Sequence, residues 1–276
     1  MQSEGITYIV GTFDVAELTF LAFFVFFVGL VIYLNRESRR EGYPLEHEQT
    51  GVVERGLPLS DAGKKTFKLP HGRGTYTPED LPRDPQSKLD RIDAQQAFGA
   101  AGAPWVPNGD GMKSAMGPGA YAEREDYPDL TFDGRPRIVP IADSHDIVVA
   151  KQDMNPVGLP VYGVDKKLAG EVSDIWVDQS EHIIRYLEVT TKSGKKVLAP
   201  MFVCAVQGKG FLGGITPLVD DQVPLIDIDS ITSEQFDDVP QVATAGQITR
   251  LEEDKIMAYY GGGYMYATPD RGEPWL

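Results

Sequence analysis

One stretch of this chain is apolar without interruption, and nothing else in it is. Residues 18–34 (LTFLAFFVFFVGLVIYL) carry no charge. With residues 15–17 they make about 20 residues, roughly 30 Å of helix, which matches the hydrocarbon core of a bilayer. The stretch is apolar all round, unlike the amphipathic helices that pack on a soluble core. A cleaved signal peptide opens on a basic segment and closes on a small-residue cleavage site. Here Glu4, Asp14 and Glu17 stand before or at the start of the stretch with no Lys or Arg, and no such site follows Leu34. The pattern predicts a transmembrane helix over 15–35 behind a short segment 1–14. Glu17 falls in its first turn, where the helix dipole favours an acid. Arg36, Arg39 and Arg40 follow directly and no cation precedes, so the positive-inside rule puts 1–14 in the periplasm and the rest in the cytoplasm. Phe13 and Tyr33 are placed to anchor the two interfaces. Ala22 and Gly29 share a helix face that would admit a partner helix, though small residues facing lipid by chance explain them equally well.

The patterning then changes twice. Residues 36–145 are rich in Pro, Gly and charge, with few periodic apolar runs, and read as extended chain, either disordered or laid over the surface of partners; 66–69 is a short candidate strand. The turns at 70–74 and the scattered Phe67, Tyr76, Trp105 and Tyr121 hint at ordering by contact. From 146 to 276 the pattern is mainly β. Runs at 159–164, 169–177, 183–191 and 195–206 are separated by turn signals, with Ser193-Gly194 marking a hairpin. Within 172–178, Val172, Asp174, Trp176 and Asp178 form a mixed face against Ser173, Ile175 and Val177. Short strands this close together predict a small antiparallel barrel or curled sheet. A capping box, Thr249-Arg250-Leu251-Glu252, opens a C-terminal helix that Gly261–Gly263 are expected to end.

Charge and motifs narrow the chemistry. With 26 Lys plus Arg against 41 Asp plus Glu, the net charge of -15 argues against a nucleic-acid partner. The single cysteine, Cys204, excludes an intrachain disulfide and sits in an apolar run where a buried, inert thiol is expected. Residues 208–213 spell GxGxxG, but Pro217 leaves no room for the helix that a dinucleotide needs after the glycines. Ser144-His145-Asp146 are adjacent and so cannot assemble triad geometry. His47, His71, His145 and His182 are scattered, no zinc-ligand spacing occurs, and Glu46-His47-Glu48 reads as a solvated turn. Nothing in these motifs points to an enzyme.

Five segments carry a resemblance. REGYPLE at 40–46, TFKLPHGRGT at 66–75, DIWVD at 174–178, LEEDKI at 251–256 and GGYMYA at 262–267 look like the H subunit of the purple-bacterial photosynthetic reaction centre, in order and over nearly the whole chain. The resemblance implies a PRC-barrel fold for 146–276 and a subunit of the bacterial inner membrane that binds no pigment. Such a subunit would cap the cytoplasmic quinone side of the L and M subunits, among membrane lipids. Bacteriochlorophyll, bacteriopheophytin, quinones and non-haem iron would then belong to partner subunits, with light-harvesting antenna polypeptides and a cytochrome subunit as further neighbours. It also implies proton delivery to the secondary quinone along titratable groups, falling here on Asp133, Asp178, Glu181 and Arg185. Glu181 and Arg185 share strand parity, so strand geometry allows a charge pair between them. Arg135 and Arg137 stand where some relatives have histidines, and arginine cannot release a proton near neutral pH. A membrane-anchored adaptor using the same barrel for another partner is the alternative, because fold does not fix function.

Overall fold

The computed structural model describes residues 8–10, 13–40, 45, 47, 49–52, 66–77, 93–144, 146–207 and 224–272. The glycine-rich run 208–213, His145, and most of 40–46 and 46–48 lie outside the described residues, so the expectations placed on them stay where the sequence left them. The chain divides into two compact units, Met1–Pro85 and Gln86–Leu276.

In the first unit, strands β1 (Tyr8–Val10) and β2 (Phe13–Asp14) precede helix α1 (Val15–Ser38). Asp14 caps α1 by accepting from the Glu17 N–H at 2.8 Å. The 24 residues of α1 span about 36 Å. The helix runs three residues past the expected Asn35, and its last turn carries Arg36. None of its residues is buried within the chain, which leaves the uncharged stretch Leu18 to Leu34 for a bilayer to cover. Strands β3 (Phe67–Lys68) and β4 (Thr75–Tyr76) close a hairpin through a turn held by Leu69 N–H on Gly74 O at 2.8 Å. The glycines of the TFKLPHGRGT segment supply the positive φ that this turn needs, +71° at Gly72 and +89° at Gly74.

The second unit opens with a hairpin of β5 (Ala94–Gln96) and β6 (Trp105–Pro107). Its core is a seven-stranded sheet of β7 (Ile138–Pro140), β8 (Pro160–Tyr162), β9 (Leu168–Asp178), β10 (Ile183–Thr191), β11 (Lys196–Pro200), β12 (Ala205–Gln207) and β13 (Leu225–Asp227). The order is β11-β10-β9-β8-β13-β12, with β7 also on β9 and only β13–β8 parallel. The hairpin predicted at Ser193-Gly194 joins β10 to β11, with Gly194 at φ +85°. The compact unit that holds this sheet also takes in chain from before residue 146. Met112 and Ile138–Pro140 lie in a stretch whose composition reads as extended, yet they are buried against the sheet, and β7 pairs with β9. Short apolar pieces between prolines escape a periodicity test, but a sheet edge can still use them.

Register is irregular between Ile184 and Tyr186 and between Glu188 and Val189, and these bulges curl β10. The alternation expected across β9 fails at its end, where residues 175–178 are all buried. There the sheet is covered from outside by helix α2 (Arg250–Tyr266): Tyr186, the register partner of Trp176, donates its hydroxyl to Glu253 at 2.9 Å.

The capping box is present, with Thr249 accepting from Glu252 N–H and Glu252 accepting from Thr249 N–H. The glycines do not end α2, which continues to Tyr266. They instead let backbone approach. A Cβ on Gly261 would sit 2.8 Å from Pro118 O, one on Gly262 would sit 3.3 Å from Gly119 Cα, and one on Gly263 would collide with Ser230 O. Helical turns at Gly111–Lys113 and Gly117–Gly119 form a strap on this smooth face. Cys204 points inward, its thiol 3.3 Å from Pro200 O, and burial pushes its pKa up to about 12, as expected of an inert thiol.

Two consequences can be measured on the purified chain. Gly263→Ala should destabilise it by about 1–3 kcal/mol, since the new methyl meets backbone that cannot yield. Gly99→Ala, which meets nothing within 4 Å, should leave the denaturant midpoint nearly unchanged. Burial is the main cause that raises the pKa of Glu253, against the Tyr186 hydrogen bond and the Arg185 charge, while Asp129 and Asp254 push it further up. A raised folded-state pKa gives stability that is complete at low pH and is lost as pH rises through the raised value. Glu253→Gln keeps an acceptor for Tyr186, so it should match the wild type near about pH 4 and exceed it near about pH 8.

Candidate functional site

Three pieces of the second unit meet where β7 joins the end of β9. Asp178, the last residue of β9, pairs in register with Ile138, so Arg137 arrives beside it from the approach to β7. The turn after Asp178 folds back on its carboxylate, and Oδ1 accepts the N–H of Ser180 at 2.9 Å and of Glu181 at 3.0 Å. Gln179 ties the same turn to the β7 approach, its N–H donating to Arg137 O at 2.9 Å and its side-chain amide to Pro136 O at 2.9 Å. The sequence therefore places an aspartate at a strand end followed by a tight Gln-Ser-Glu turn. That arrangement aims several backbone donors at one carboxylate.

Arg137 stands at the centre. Its Nε lies 3.0 Å from Oδ1 and 2.8 Å from Oδ2 of Asp178; its two terminal nitrogens donate to Asp129 at 3.3 Å and to Glu181 at 2.5 Å. Asp178 is 1% exposed and Glu181 53%, so one guanidinium joins a buried carboxylate to a surface one. Burial works against the charge on Asp178. The Arg137 hydrogen bond and the N–H groups of Glu181 and Ser180 outweigh it, holding the carboxyl below its usual range. The same Asp178 contact raises the pKa of Arg137.

Asp133 occupies a neighbouring loop closed by Thr131 N–H on Arg135 O at 2.8 Å, with Gly134 at φ +83°. The Thr131 hydroxyl and then the Arg135 guanidinium, 2.6 Å away, keep its carboxyl below the usual range. A cleft of about 210 Å³ separates this loop from the turn after β9, and Asp133, Arg135, Asp146, Gln179, Ser180 and His182 line it. Phe132, at the loop tip, is fully exposed.

The structure thus brings Asp178 and Glu181 onto one cation and sets Asp133 across a cleft from their turn. The direct Glu181–Arg185 pair does not form. Glu181 lies in the turn outside β10, and Arg185 falls at the bulge between Ile184 and Tyr186, so parity counted along a regular strand fails. Arg185 instead acts electrostatically on Glu253, which also feels Asp129, the third carboxylate on Arg137. Sequence reasoning missed Arg137 as an ion-pair hub, Asp129, and His182 at the cleft. The density of charge in 129–137 signals only Arg137 and Asp129. Among the described residues no cluster of three or more His, Cys, Asp or Glu could hold a metal ion.

Comparison with known families finds two matches that follow one another along the chain. Residues 7–143 match the photosynthetic reaction centre H-chain N-terminal region, and residues 150–212 match the PRC-barrel domain. The first takes in the apolar helix and the loop carrying Asp133 and Arg137. The second takes in β8 to β12, with Asp178 and Glu181. An apolar N-terminal helix, a mainly β domain and a C-terminal helix fit that pairing, and the chain belongs to the reaction-centre H-chain family, whose members are structural subunits anchored in the membrane.

Proposed function

We propose that this chain is the H subunit that caps the cytoplasmic quinone side of the L and M subunits, supports their assembly and electron transfer, and passes protons towards the secondary quinone. The cluster at Arg137 carries the reading. Reducing a quinone to quinol consumes two protons inside protein, where water does not move freely, so they must step between titratable groups or ordered waters within hydrogen-bond reach. A buried carboxylate, a surface carboxylate and a cleft lined by Asp133 and His182, all around one turn, supply such groups between solvent and the protein interior. Arg185 would act at a distance through Glu253 and Asp129. Pigments, quinones and iron would be held by the partners. The H-chain match over 7–143 favours this over a barrel adaptor for some other partner, because it covers sequence outside the barrel.

Glu181→Gln replaces an exchangeable proton site by an amide of the same shape. In the purified complex it should leave the first flash-induced electron transfer unchanged. It should slow the proton-coupled second transfer about tenfold, or ~1.4 kcal/mol of barrier, with the larger effect at high pH. Unchanged second-transfer kinetics across pH would reject the relay.

The orientation is tested separately. Arg36, in the last turn of α1, and Arg39 and Arg40 just after it support a periplasmic 1–14 by the positive-inside rule. Protease added to sealed inside-out vesicles should therefore digest the exposed loops after Arg40. Protection there, with cleavage in right-side-out vesicles, would reverse the topology.

A further inference from the structure

The hairpin of β3 and β4 belongs to the first unit, with the membrane helix. It is a two-stranded sheet by itself, and every residue of both strands is exposed. A lone pair of strands is marginally stable in water and gains from a surface to lie on. Its register sorts the side chains. Phe67 pairs with Tyr76 and Lys68 with Thr75, so alternation gives Phe67, Tyr76 and the flanking Leu69 one face and Thr66, Lys68, Thr75 and Thr77 the other. The rings of Phe67 and Tyr76 stand 6.5 Å apart, and the hydroxyls of Thr66 and Thr77 meet at 3.2 Å. Charge here runs against the rest of the chain. Residues 62–78 hold Lys64, Lys65, Lys68 and Arg73, with His71 at the turn, and no Asp or Glu, whereas the whole chain carries -15.

We propose that this hairpin docks on the bilayer that α1 crosses, with Phe67, Leu69 and Tyr76 at headgroup level and the cations around them on the phosphates of anionic phospholipid. Aromatic side chains favour that depth, where one side is apolar and the other wet. Lysine and arginine add attraction to an anionic surface within a Debye length of it. Arg73 stands in the turn, and Lys68, on the polar face, has a stem long enough to bring its ammonium past the strand edge. A chain this acidic is repelled by such a surface elsewhere, so the stretch of uniform positive sign selects which part lies flat. The span and the hairpin share one compact unit, and the span supplies the tether. An acidic protein surface would attract the same cations but leave the rings in water, which favours the bilayer. The proposal uses α1 as a membrane span and does not depend on proton delivery.

The test uses the full chain in lipid discs of phosphatidylcholine alone or mixed with phosphatidylglycerol. Exchange of the hairpin amides, the Leu69 N–H on Gly74 O among them, should slow about tenfold in the anionic discs and return to the neutral-disc rate at high salt. Lys68→Gln together with Arg73→Gln should abolish that difference. A second measurement does not rely on the stability of the hairpin. Phe67→Trp puts a reporter on the apolar face, and brominated acyl chains should quench it more in anionic discs than in neutral ones. Equal exchange and equal quenching in the two kinds of disc would overturn the proposal. Protection that arises only when the L and M subunits are added, whatever the lipid charge, would overturn it too and give the hairpin a protein partner. Neither outcome touches the relay reading, which Glu181→Gln tests.

Discussion

The second unit depends on the hydrogen bonds of one strand. β9 is eleven residues long and buried along most of its length, so its backbone groups must be paired on both edges. β10 satisfies one edge throughout. The other is shared, with β8 on the N-terminal half and β7 on the C-terminal half. This sharing brings the 129–140 segment, remote in sequence, to the end of β9. It delivers Arg137 to Asp178, and without it the site would hold an unpaired buried carboxylate. Gly170 marks how closely the chains pack, since a Cβ there would collide with the carbonyl of Thr190.

Much of this was legible in the residues. The membrane helix, the runs that became β8 to β11, the hairpin at Ser193-Gly194 and the capping box at Thr249 all follow from local pattern and local chemistry. What escaped was non-local. β7 is three residues long and ends in proline, so nothing in its own sequence marks it as part of a sheet core. The run Gly261–Gly263 reads as a helix stop because glycine weakens helices, and only the strap against Gly261 and Gly262 and the Ser230–Ile231 segment against Gly263 explain why it is tolerated in the interior.

The site shows the same division. Asp133, Asp178 and Glu181 were reached through resemblance, and their positions converge. The pairing of Glu181 with Arg185 was argued from strand parity, which a bulge and a turn both break. Arg137 was read only for what it cannot do as a proton donor. Its contacts with Asp178 and Glu181 span more than forty residues of chain and are visible only after folding.

The glycine face of α2 also bears on the order in which the domain assembles. Three consecutive glycines cost a helix interior about 3 kcal/mol relative to alanine, so this segment is a poor helix by itself. It gains its structure from the strap and the sheet it covers, and all of those elements precede it along the chain. During synthesis the sheet therefore precedes its cover, and Tyr186 with the neighbouring apolar face stays uncovered until residues 250–266 have emerged as well.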